Sequence, residues 1–130
     1  MSGFTILRPE DQRFETPSWR PDDPARTIVE LPRLASLEHV RAHLWRYPPG
    51  ASGHRHRETV QEEVFLVVEG TLSMELGEDG ERVDLPARTL VVVEPGTALR
   101  VFNAGDADVL VFAVGAPAEP GTAEIIERAW

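Results

Sequence analysis

The sequence predicts an all-β fold, an antiparallel sandwich or barrel, on three observations. Short apolar or alternating runs recur from Arg41 onward, at 41–47, 63–68, 71–76, 82–85, 89–93, 98–103 and 109–114, lengths and patterns that suit strands. Turn chemistry separates them: Pro-Pro-Gly at 48–50, Gly-Glu-Asp-Gly at 77–80, Pro-Gly at 95–96 and Ala-Gly-Asp-Ala-Asp at 104–108 each supply residues that tolerate tight backbone reversals. No self-similar period of solenoid length interrupts this series.

Taken in order, residues 1–36 form an N-terminal arm with Pro9, Pro17, Pro21, Pro24 and Pro32 among mixed charges. Its one apolar run, 27–31, fits an edge strand, where proline neighbours are tolerated. The arm is expected to lie on the barrel or to cross to a second subunit. Residues 37–115 are the expected barrel. Within it His43, Trp45 and Tyr47 alternate along one strand and so share a face. Residues 116–130 form a tail: the linker 116–121, then 122–130, which is expected to make a turn or two of helix with Ile125, Ile126 and Trp130 against the barrel. The chain is read as one domain, since 130 residues at 42% hydrophobic are enough for one core and few for two.

Composition narrows the function. Thirteen basic against twenty-two acidic residues give a net charge of −9, which repels nucleic acid and anionic membrane surfaces. Cysteine is absent, so thiol chemistry and disulfides are excluded. The apolar run 64–68 is far below membrane-spanning length, and the first residues lack the basic flank and apolar stretch of a secretory signal. The cytoplasm is therefore the expected location.

Residues 50–70 carry most of the chemistry. His54, His56 and Glu58 fall on one face of a strand, and Gln61, Glu63 and Phe65 on one face of the next. Imidazole and carboxylate hold zinc, iron, manganese or nickel. If Thr59-Val60 is a two-residue turn, His56 lies opposite Glu63 and Glu58 opposite Gln61, with Cβ atoms roughly 4.5–5.5 Å apart. Neither turn residue readily adopts positive φ, so a wider loop is the alternative. A bland reading competes, in which His-Arg-His-Arg-Glu is a charged run facing water. Glu63 resists it, because a charge opening an apolar strand is costly unless it is paired or at a barrel mouth. His39 has no implied partner and is assigned no role.

This segment resembles the first motif of the cupin superfamily: glycine, five residues, His-x-His, three or four residues, Glu, six residues, Gly. Glu63 and Gly70 have the family spacing, and three registers are open upstream. In one, His54 and His56 form the His pair with Glu63. In another, Gly50 leads by five residues to His56, Glu58 takes the second His place, and Glu63 follows four residues later. In the last, His54 and His56 are followed by Gln61. Only His56 occurs in all three. Aligning Gly96 and Asn103 with the second family motif puts Arg88 at its first glycine, Glu94 at its proline and Leu99 at its histidine.

The resemblance implies a double-stranded β-helix, the jelly-roll barrel of the cupins. It implies metal ligands His54, His56 and Glu63, with Glu58 and Gln61 as alternatives, and at most three protein ligands because Leu99 stands at the fourth position. A ligand pocket follows from His43, Trp45, Tyr47, Phe65, Leu99 and Asn103. Small cupins pair through their sheets, and 64–68 and 90–93 are apolar on both faces, so a homodimer is expected. Two functions remain. The first is a protein that binds a small organic ligand, or weakly a divalent metal, in the barrel mouth. The alternative is a metal-dependent enzyme of dioxygenase, isomerase or decarboxylase type. Loss of the second-motif histidine favours the first.

Overall fold

A computed structural model describes residues 3–119 and 122–130; the last two residues of the expected linker, Pro120 and Gly121, lie outside the described residues. Among the described residues the strands are β1 (Thr27–Glu30), β2 (Arg41–Tyr47), β3 (Arg55–Glu58), β4 (Glu62–Glu69), β5 (Leu72–Leu76), β6 (Glu81–Leu85), β7 (Leu90–Val93), β8 (Ala98–Phe102), β9 (Val109–Ala116) and β10 (Ala123–Glu127), with a 3-10 turn at Pro9–Asp11 and one short α-helix, α1 (Leu31–Leu34). They form two five-stranded antiparallel sheets, ordered β1-β2-β9-β4-β7 and β10-β3-β8-β5-β6. This is the sandwich-like barrel that the run and turn spacing predicts. None of the described helices is long and apolar enough to cross a membrane.

Two local expectations are overturned. The first is the hairpin at Thr59-Val60. β3 pairs with β8 and β10, whereas β4 pairs with β7 and β9, so His56 is not the cross-strand partner of Glu63, nor Glu58 of Gln61. The backbone N–H and hydroxyl of Thr59 both donate to the Thr122 carbonyl, at 2.9 and 2.7 Å. They hold the end of β3 in its own sheet while the chain crosses to the other. Two residues unsuited to positive φ make this crossing in preference to a tight reversal.

The second is the C-terminal helix, which is strand β10. Its register sets Ala123 beside Glu58, Glu124 beside Arg57 and Ile125 beside His56. Without it, β3 would leave a row of backbone donors and acceptors unpaired. The ladder satisfies more of those groups than a short isolated helix would, and such helices are marginal in water. The arm folds onto its own barrel: β1 pairs with β2, and Glu15 bridges Ile28.

The core shows why one end of the sandwich stays open. Val67, Leu72, Met74, Leu99, Val109 and Val111 are 2% exposed or less, and each such side chain contributes roughly 1.5–3 kcal/mol when removed from water. Along β4 the inward residues then run Val67, Phe65, Glu63; along β9 they run Val111, Ala113, Gly115, each beside its β4 counterpart. Side chains on one strand turn polar as those on the other shrink. Packing therefore gives way to a cavity. On the opposite face of the same sheet Val64, Val68, Leu90 and Val92 are 41, 39, 66 and 73% exposed.

Candidate functional site

The cavity has a volume of about 670 Å³ and lies between the sheets at this end. Alternation along β2 turns His43, Trp45 and Tyr47 into it, β3 supplies His56 and Glu58, β4 supplies Glu63 and Phe65, and β8 supplies Leu99 and Val101. The arm closes one side with Trp19, Arg20 and Arg26.

His56, Glu58 and Glu63 converge: one ligand atom from each lies within 4.8 Å of the others. They come from opposite sheets, so the crossing between β3 and β4 brings them together. These are the residues that the register beginning at Gly50 sets together. The His56 Nδ1 sits 3.0 Å from the His54 carbonyl oxygen. A carbonyl only accepts, so Nδ1 carries the proton and Nε2 keeps its lone pair for a ligand. Glu58 is buried and accepts a hydrogen bond from the Thr122 hydroxyl through Oε2, at 3.1 Å. Glu63 Oε1 is buried with no hydrogen-bond partner among the described residues.

Electrostatics mark Glu63 as the unsettled member. Burial, then the neighbouring Glu58 charge, push its carboxyl up to about 7 against the pull of Arg41. Two carboxylates, Glu58 buried and Glu63 half-buried, beside an imidazole with a free lone pair make a donor set suited to a divalent cation, and a cation would supply the partner that Oε1 lacks. One nitrogen and two carboxylate oxygens favour manganese, iron or zinc over softer ions. The residues present thus fit a metal.

The opposite wall is aromatic. Ring centroids are 5.1 Å apart for Trp19 and His43, 5.9 Å for Trp19 and Trp45, and 5.9 Å for Trp45 and Tyr47, all within the range of favourable tilted or edge contacts. Burial and then the Arg41 charge hold His43 down at about 4, so its ring is neutral at pH 7. Arg26 is 8% exposed. Its Nε donates to Asp23 at 2.7 Å and its Nη1 to the Tyr47 hydroxyl at 3.1 Å, and its Cζ lies 4.5 Å from the Trp45 ring centre. Burial disfavours the charged guanidinium, but Tyr47 and Asp23 together hold its pKa above the ordinary value. Sequence reasoning missed Arg26 and Trp19, since nothing in a proline-rich charged arm marks one cation among many.

Three expected site residues are placed elsewhere or otherwise engaged. His54 lines the cavity but is absent from the converging group. Its Nδ1 accepts the Ala129 N–H at 2.9 Å, which puts the ring proton on Nε2, and its ring lies 3.8 Å from that of Trp130. No lone pair is left to ligate. Gln61 spends its amide on the Pro117 carbonyl, at 3.0 Å, and its Oε1 fills the space where a Cβ on Gly115 would come within 2.8 Å. Asn103, expected in the pocket, clamps the turn after β8: its Nδ2 donates to Tyr47 and Ala107 carbonyls, both at 2.8 Å, and its Oδ1 accepts from Gly105 N–H. Leu99 lines the cavity beside His56, its register partner on β8. His39 is exposed and outside the cavity lining.

Comparison with known proteins agrees with this architecture. The family model of the cupin domain matches residues 43–115, more than half of the chain. No curated protein matches the sequence. Among solved structures, the polyketide cyclase RemF from Streptomyces resistomycificus is similar at a TM-score of 0.80 and 16% identity, over 95% of this chain and 85% of its own. A sugar phosphate isomerase of the cupin superfamily from Silicibacter pomeroyi has a TM-score of 0.74 and 20% identity, over 88 and 76%. A predicted oxalate decarboxylase from Thermotoga maritima has 0.71 and 18%, over 87 and 99%. At such identities the likeness shows the fold alone.

Proposed function

The chain belongs to the cupin family, and from that premise we propose that it binds a small organic ligand in the barrel mouth, beside a divalent metal ion held weakly by His56, Glu58 and Glu63. One observation carries this reading: the buried Glu63 Oε1, without a hydrogen-bond partner among the described residues, faces a second carboxylate and an imidazole. Such an arrangement is unfavourable in isolation and is relieved by a cation. When bound, the ion would act as a Lewis acid toward a ligand oxygen. The protein's own contribution is to fix the His56 tautomer through His54, orient Glu58 through Thr122 and exclude water with apolar walls. Affinity is modest because Leu99 supplies no donor.

A second reading, a metal-dependent enzyme, is favoured by one feature: three protein donors leave coordination positions free for substrate. Solved neighbours include proteins described as an isomerase, a decarboxylase and a cyclase. Binding remains the first reading because His43, the titratable ring on the opposite wall, is held too low to serve as an effective base near pH 7. The exposed apolar face of β4 and β7 supports a homodimer, in which Val64, Val68, Leu90 and Val92 meet their copies.

The test is elemental analysis of protein purified without an affinity tag, followed by calorimetric titration of metal-free protein with manganese and zinc. His56→Ala should abolish uptake and His39→Ala should leave it unchanged. Equal uptake by wild type and His56→Ala would overturn the reading.

A further inference from the structure

We propose that the N-terminal arm completes the cavity as a site for a planar aromatic carboxylate, with Trp19 and Trp45 taking the ring and Arg26 the carboxylate. The inference rests on the ligand-binding reading above and names the ligand's class. It is carried by the state of Arg26. Its side chain is 9% exposed and ion-paired to Asp23, yet its hydrogen bonds use only Nε and Nη1. Nη2 donates to nothing among the described residues, although the group lines the cavity. A guanidinium presents donors in a rigid planar fork, and the unused edge matches an oxyanion.

The fork is also held in place. Asp23 accepts from the Arg26 backbone N–H at 2.9 Å as well as from its Nε, and the absence of a side chain at Gly53 makes room, since a Cβ there would come within 2.8 Å of Nη1. Aromatic and apolar groups accompany it in the cavity lining. Trp45 lies beneath the guanidinium, Trp19 packs edge-on against Trp45, and Phe65, Leu99 and Val101 also line the cavity. On the Arg26 side of the cavity these aromatic faces and aliphatic groups suit a ring system. Arg26 and Trp19 both come from the arm, so the arm sets specificity while the barrel holds the metal group.

Calorimetry on metal-free protein tests this, with naphthoate and its neutral counterpart naphthalenemethanol as probes. Wild type should bind the acid about tenfold more tightly than the alcohol, as expected for one charge-assisted contact. Arg26→Lys should remove most of that preference, because an ammonium cannot reproduce the fork. Trp19→Ala, at a position 37% exposed where folding is little affected, should weaken both probes severalfold. The inference is overturned if wild type binds both probes equally or neither, if Arg26→Lys keeps the full preference, or if Trp19→Ala changes nothing. Should the lysine variant fail to fold, wild type and Trp19→Ala still decide. Metal uptake is read separately: manganese binding that depends on His56 without naphthoate binding sinks this inference and spares the metal centre. Arg26-dependent naphthoate binding without manganese uptake does the reverse.

Discussion

Glu63 couples the site to folding. Its folded pKa of about 7 stands above the ordinary 4.5, so the folded chain keeps a proton that the unfolded chain releases. The stabilising contribution is full below about pH 4.5 and lost as pH rises through about 7. Metal-free Glu63→Gln should therefore be more stable than wild type at pH 8, by about 1–3 kcal/mol, with the gap closing near pH 4; urea denaturation at both values measures it. A variant less stable than wild type at pH 8 would show that the carboxylate is well satisfied without metal. Metal must displace the same proton, so uptake should weaken as pH falls through about 7. His43 has the opposite sign: its ring is held at about 4, below the ordinary 6.5, so its contribution is present above 6.5 and lost as pH falls through about 4. Leu99 offers the converse experiment. It neighbours His56 across the β3–β8 ladder, and Leu99→His should raise zinc affinity at least tenfold, about 1.4 kcal/mol. No gain by calorimetry would mean that the donors do not share a common point.

At the scale of elements, β10 supports the site as well as the sheet. Thr122 fixes both Thr59 and Glu58 just before that strand begins, so Thr122→Val should weaken metal binding about tenfold, as loss of a ligand's outer partner does. Unchanged manganese affinity would confine Thr122 to a folding role. This strand also marks where sequence reasoning stops. Ile125 and Ile126 flanked by charges suit a helical turn, and only the open edge of β3, which no local pattern reveals, selects a strand. The crossing from β3 to β4 was hidden for the same reason: alternation assigns faces within each strand but is silent on which sheet the strand joins. His56, Glu58 and Glu63 stand together in one of the three registers that the cupin resemblance allows, and it is that set whose ligand atoms converge. Arg88 shows the limit of motif matching. It occupies the position of a family glycine and adopts a left-handed backbone, φ 75°, a conformation open to residues other than glycine at some strain.

For the molecule as a whole, the exposed apolar residues of β4 and β7 are the feature a lone sandwich does not explain. Contiguous patches of this kind mark contact surfaces. Val92→Lys, at a position 73% exposed, should convert the proposed homodimer into a monomer in light scattering with little change in the fold. A wild type already monomeric at micromolar concentration would contradict the pairing. The path of the chain between β3 and β4 has one more consequence. The candidate donors sit on separate leaves of the sandwich, so an ion held by all of them would rivet the leaves together at the end where packing is thinnest. Occupancy would be felt mechanically, as a damping of shear between the leaves. Amide exchange along β3 and β4 would slow together on loading, and the barrel would report its cargo through its stiffness.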